Sequence, residues 1–178
     1  MSGYPWYELV DAEDPIEQGD LIRNCPIVIP QGKSVKELQE LPPKATIYNV
    51  VVMTQTCDIK WCKVQHVVLC PYFDLNELAK VNPFFRDDDG KNELRRGNVT
   101  AFHMLNKCEI GSLEHDLLAV EFRKVFNLNI DILKDVAVNN GERLRLLPPF
   151  REHLSQAFAR FFMRVALPED IPKIVTEE

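Results

Sequence analysis

The sequence predicts one mainly β domain that ends in an amphipathic helix, and three observations carry that expectation. Two runs are dense in β-branched residues and bounded by turn-forming ones, Ile47 to Thr54 and Val64 to Cys70. The segment from Phe150 to Val165 repeats its apolar residues at helical spacing. A length of 178 residues, 46% hydrophobic and 27% charged, suits a single well-buried core and excludes a disordered chain or a fibrous repeat. The whole chain, 1–178, is therefore read as one domain with its core over about 19–165.

Along the chain, Gly19 to Ile29 reads as a strand interrupted at Pro26. Ser34 and Glu37 have capping-box spacing, which predicts a short surface helix within an insertion over about 30–45, bounded by Pro42 and Pro43. The consecutive valines 50–52 imply either a strand buried on both faces or the wall of a tightly packed barrel. Gln55 to Lys63 is a short polar connection to the next strand, which ends at Pro71. Asp74 and Glu77 repeat the capping-box spacing and open a polar insertion over about 74–97. Asn98 to Leu105 and Leu117 to Phe126 alternate as strands, whereas Ile130 to Val138 fits either a short helix or a strand before the turn at Asn139-Asn140-Gly141. In the last helix Phe150, Leu154, Phe158, Phe161 and Val165 form the buried stripe, and His153, Gln156, Arg160 and Arg164 share the opposite side. Pro168 stops it ahead of an acidic tail, 168–178. Tyr4, Trp6 and Tyr7 are read as an aromatic cover for an open end of the core.

Composition narrows the function classes. Seven glycines and the absence of G-x-x-x-x-G-K-[ST] and G-x-G-x-x-G remove the usual signatures of phosphate-cradling loops. A net charge of −6 opposes non-specific attraction to nucleic acid or anionic membrane, while leaving room for a local basic face. The acidic start lacks a secretory h-region and no apolar run reaches a membrane span, so a cytoplasmic protein without membrane contact is expected. The five cysteines, at 25, 57, 62, 70 and 108, suit reduced thiols.

The order of these segments resembles the small SH3-like barrel of the MazF/PemK toxin family. Gly19-Asp20-Leu21-Ile22 matches that family's opening strand, Val50-Val51-Val52-Met53-Thr54 its valine strand, and Val67-Val68-Leu69-Cys70-Pro71 the strand that follows. A further likeness is to uncharacterised bacterial proteins with a Thr-Gln-Thr-Cys-Asp element, here residues 54–58, and a closing segment, here Arg143-Leu144-Arg145-Leu146 and then Pro148 to Leu154. The resemblance implies an SH3-like barrel with surface insertions, metal-independent cleavage of single-stranded RNA by the ribose 2′-hydroxyl, homodimerisation and an antitoxin-like protein partner. The family's arginine and hydroxyl positions hold Tyr48-Asn49 and Tyr72-Phe73-Asp74 in this chain.

Two clusters are the candidate chemistry. Thr54, Gln55, Thr56, Cys57 and Asp58 offer a base, a nucleophile and a positioning amide just after a buried strand; as a plain turn, Asp58 would instead bind backbone amides and Cys57 would pack. Arg143, Arg145 and Arg151 are the candidate RNA-backbone contacts, with a solvated face paired to acids as the alternative. Cys57, Cys62, His66 and Cys70 have ligand types suited to zinc, yet their spacing matches no zinc module and they are read as thiols and a satisfied histidine, so neither metal nor other cofactor is expected. The rival to an RNA-acting protein is a non-catalytic regulatory module that binds a protein partner in a bacterial toxin, stress or defence system.

Overall fold

The computed structural model describes residues 4–163. Eight strands, all paired antiparallel, form one sheet, and six α-helices surround it: β1 (Tyr7–Val10), β2 (Asp20–Ile29), α1 (Val35–Glu40), β3 (Lys44–Val52), α2 (Thr56–Lys60), β4 (His66–Asp74), α3 (Leu75–Val81), α4 (Asp88–Arg95), β5 (Phe102–Leu105), β6 (Leu118–Glu121), β7 (Phe126–Asn129), α5 (Ile130–Asn140), β8 (Arg143–Leu146) and α6 (Phe150–Phe162). The sheet order is β1-β8-β2-β3-β4-β6-β5, with β7 also on β4.

This is a mixed α/β architecture, and the closed SH3-like barrel expected from the resemblance is not formed, because the two end strands, β1 and β5, do not pair. The sheet curls far enough for the Tyr7 hydroxyl on β1 to donate to the Asn106 carbonyl just past β5, at 2.6 Å. The valines explain why it stays open. Val51 and Cys70 face one core, with Leu154 of α6 and the partly buried Phe150 and Phe158, whereas Val50, Val52, Val67 and Leu69 face a second core with Leu133 and Ala137 of α5. A sheet apolar on both faces buries itself by taking a helix on each side. The two-face burial expected of the valine run is therefore present, and the ambiguous segment after β7 is the helix α5.

The second insertion builds a small core of its own from Leu75, Phe85, Leu94 and Phe102. The predicted caps are in place: the Ser34 hydroxyl accepts from the Glu37 amide, and Asp74 accepts from the amides of Asn76 and Glu77. Three boundaries differ from expectation. β4 runs through Pro71, which pairs opposite Val50, and the segment 117–126 is divided between β6 and β7. Of the N-terminal aromatics, Tyr7 begins a strand, β1, registered Tyr7 to Leu146, Trp6 just before it stacks on Phe150 at 3.7 Å, and Tyr4 is exposed and covers nothing. Val165, Arg164, Pro168 and the acidic tail lie outside the described residues.

Candidate functional site

The 54–58 element forms the entry to α2, and its polar groups are largely engaged in holding the backbone. Thr54 Oγ1 accepts from the Val68 amide at 2.7 Å, and Thr56 Oγ1 accepts from the Gln18 amide at 3.1 Å. Gln18 in turn donates to the Met53 carbonyl and to Ser155 of α6, both at 2.9 Å, so the loop is tied to the last helix. The exposed Cys57 thiol lies 3.6 Å from Gln55 Oε1 and 3.7 Å from Asp58 Oδ1, and Asp58 pairs with Lys63 at 3.2 Å. Among the described residues no histidine or arginine makes a hydrogen bond or ion pair with this element. It is gathered as the spacing predicts, and the one cation bonded to it among the described residues, Lys63, is engaged by Asp58. Cys57 and Cys62 are exposed while Cys70 is buried, and no group of three metal-ligating side chains is gathered among the described residues.

The arginines expected to hold RNA are employed inside the fold. Asp20 is 0% exposed, and Arg143 and Arg145, on the same side of β8, are 3% and 9% exposed. Asp20 accepts from Arg143 Nε at 2.8 Å, from Arg145 Nε at 2.5 Å and from Arg145 Nη2 at 3.1 Å. Arg143 also donates to the carbonyls of Asp11, Asp14 and Pro15. Every donor of the Arg143 guanidinium is so occupied. Arg143 and Arg145 clamp the 11–17 segment to the sheet, in place of the exposed face that the sequence suggested. Arg151, half-buried, pairs with Glu152 at 2.9 Å and packs over Gly19, whose φ of +89° and close neighbours Leu146 and Arg151 leave no room for a side chain.

A basic cleft that the sequence did not assemble lies at the sheet edge formed by β5. It encloses about 380 Å³ between the end of α4, β5 and α6, and is lined by Arg95, Arg96, His103, His153, Gln156 and Arg160, among others. Its construction follows from the packing. Leu154 and Phe158 are drawn into the core, which leaves His153, Gln156 and Arg160 on the cleft side of the same helix. Leu94 anchors α4 in the small insertion core and presents the following Arg95 and Arg96.

Among the described residues no carboxylate lines the cleft. Arg96 is braced by Glu93 at 2.9 Å, Arg95 by the Asn92 amide oxygen at 3.3 Å, and Arg160 makes no hydrogen bond or ion pair among the described residues. His103 Nε2 is buried without a hydrogen-bond partner. Burial, and then the neighbouring His153 and Arg160, pull the His103 imidazole down to about 4. At neutral pH this ring is uncharged and can hold a lone pair, beside a second imidazole and three guanidiniums. An anion entering the cleft would reverse part of that shift, since negative charge favours the protonated ring.

The positions at which the resemblance expects an arginine and a hydroxyl also converge, in a smaller cleft of about 200 Å³ that Asn49, Tyr72 and Asp74 line together with Arg23 and Glu114. Its two carboxylates make it unsuited to phosphate. Comparison with models of protein families and with curated proteins finds no match to this chain.

Proposed function

We propose that this protein cleaves RNA without a metal, as a toxin-like cytoplasmic endoribonuclease, and that the basic cleft rather than the 54–58 loop is where it acts. The observation that supports this reading is the meeting of His103, His153 and Arg160 in one cleft with no acid among its described lining residues. Such a set supplies each part of phosphodiester transesterification. An uncharged imidazole, His103, takes the proton from the ribose 2′-hydroxyl as its oxygen attacks phosphorus. The second imidazole, His153, gives a proton to the departing 5′-oxygen, and the guanidiniums neutralise the charge that builds on the phosphoryl oxygens. The products are a 2′,3′-cyclic phosphate and a free 5′-hydroxyl, so atoms and protons balance without a further reagent.

The test is incubation of purified protein with end-labelled single-stranded RNA in EDTA. Wild type is expected to cut RNA but not DNA of the same sequence, which lacks the nucleophile. His153→Ala is expected to lose roughly a hundredfold or more in rate, the ordinary worth of a general acid. Asp58→Ala, placed outside the cleft, is expected to keep most of the rate. Cleavage abolished by Asp58→Ala and untouched by His153→Ala would return the chemistry to the 54–58 loop.

One observation favours the rival, partner-binding reading. Helix α1 buries no residue, and Val35, Leu38 and Leu41 stand in solvent, as do Val28 and Ile47 on the β2-β3 ribbon whose two strands α1 connects. A short helix of this kind gains its stability from what covers it, and either an antitoxin-like protein or a second copy of the chain is the proposed cover. An absence of cleavage and binding in the RNA assay would make this surface the protein's working part.

A further inference from the structure

The smaller cleft, between the end of β4, β2 and the 113–115 turn, shares no lining residue with the basic cleft and holds an unusual set of charges that make no ion pair among the described residues. Its histidine is fixed. His115 Nδ1 lies 2.6 Å from the Asp116 carbonyl, which can only accept, so Nδ1 carries the proton and in the neutral ring Nε2 is an acceptor. The edge of this ring meets Tyr7 at 5.3 Å and 83°, and the Tyr7 hydroxyl is itself anchored on Asn106. His115 Nε2 is buried and has no hydrogen-bond partner.

The same cleft carries charges of both signs. Asp74 uses Oδ1 to cap α3 and makes no hydrogen bond through Oδ2 among the described residues; Glu114 is exposed and makes no ion pair among them. The exposed Arg23 guanidinium, close enough to Tyr72 to act on its hydroxyl electrostatically, has no hydrogen bond or ion pair among the described residues. The wall between is leucine: Leu21, Leu118 and Leu144 are all buried.

Each simple ligand class leaves part of this set unanswered. A phosphate meets two carboxylates, an apolar molecule leaves the charges of Arg23, Asp74 and Glu114 without a counterpart, and a plain amine leaves Arg23 without an anion. We propose that this cleft binds a free α-amino acid with an aliphatic side chain. Its ammonium pairs with the carboxylates of Asp74 and Glu114, its carboxylate pairs with Arg23 and the Asn49 amide, and its side chain rests on the leucines. The volume of about 200 Å³ holds roughly seven water-sized groups, the bulk of such a molecule.

The experiment is calorimetric titration of the full-length protein with L-leucine, L-isoleucine, L-valine and L-methionine, beside isoamylamine and 4-methylpentanoate, which keep the leucine side chain with only one of its two charged groups. At least one amino acid is expected to bind saturably, and roughly tenfold or more tighter than either single-charge analogue. Arg23→Ala and Glu114→Gln, both at exposed positions, are each expected to weaken it by a similar factor with the melting temperature of the free protein unchanged. Binding of none of the four overturns the proposal, as does amine binding equal to that of leucine or affinity indifferent to both substitutions. The RNA assay is independent of this outcome, because no residue is common to the two clefts.

Discussion

Removing the Asp20 carboxylate should be among the most damaging single changes in this protein. In Asp20→Ala two guanidiniums lose the one fully buried charge that offsets them, along with bonds of 2.8, 2.5 and 3.1 Å, and the Glu17 amide loses an acceptor at 3.1 Å. Breaking a buried ion pair from one side costs about 3–5 kcal/mol. The loss should not double for two arginines, since Arg143 keeps its carbonyl acceptors and Arg145 keeps Glu17 at 3.7 Å and Glu8 at 3.9 Å. Against a total stability of about 5–15 kcal/mol this is a large fraction, and at this chain length it lowers Tm by about 6–20 °C. Urea unfolding followed by tryptophan fluorescence, with calorimetry for Tm, measures it, and Asp20→Asn, which keeps shape and one acceptor, should fall between wild type and alanine. Arg145→Ala should likewise lose stability while the salt dependence of RNA binding stays as it was. A loss below about 1 kcal/mol in Asp20→Ala would refute the reasoning and put the arginines back on the surface, free for phosphate.

Two further outcomes are expected. His103 protonates near 6.5 in the unfolded chain but at about 4 in the fold, so the unfolded state binds the extra proton and stability should fall as pH drops from about 6.5 towards 4, by an amount on the order of 2–3 kcal/mol; urea midpoints across that window should show a slope that His103→Gln flattens, and equal slopes would contradict its burial. Cys25 and Cys70 are pushed up by burial to about 11 and 12, whereas Cys57 and Cys62 are exposed, so brief alkylation of the native protein near pH 8 should label Cys57 and Cys62 and spare Cys25 and Cys70, as read by peptide mass spectrometry.

What the sequence disclosed is what local chemistry controls. The valine run announces burial on both faces because no polar residue interrupts it, and the caps at Ser34 and Asp74 are short-range bonds written in the spacing of neighbours. Helix α6 is legible in its stripe, since four of its apolar residues pack where the periodicity places them. The five-residue α2 is too short to show a period, and β1 is a four-residue strand whose pairing depends on β8. The arginines of β8 mislead for the same reason: Asp20 lies 123 residues before Arg143, and nothing local shows that they meet. For the basic cleft, the helical alignment of His153, Gln156 and Arg160 was visible, but the facing His103, Arg95 and Arg96 come from a different strand and an insertion.

The pairing of the first strand with the last also sets an order of events as the chain folds. β1 has β8 as its neighbour in the sheet, Tyr7 against Leu146, so the N-terminal strand has no strand to join until nearly all of the described chain has been made. During synthesis the central β2-β3-β4 ribbon can form early from sequence-adjacent pieces, while the N-terminal segment waits with its aromatic residues uncovered. Final closure therefore comes late and over a long loop, which is the kind of step that makes folding slow and leaves a waiting chain exposed to aggregation or to a chaperone.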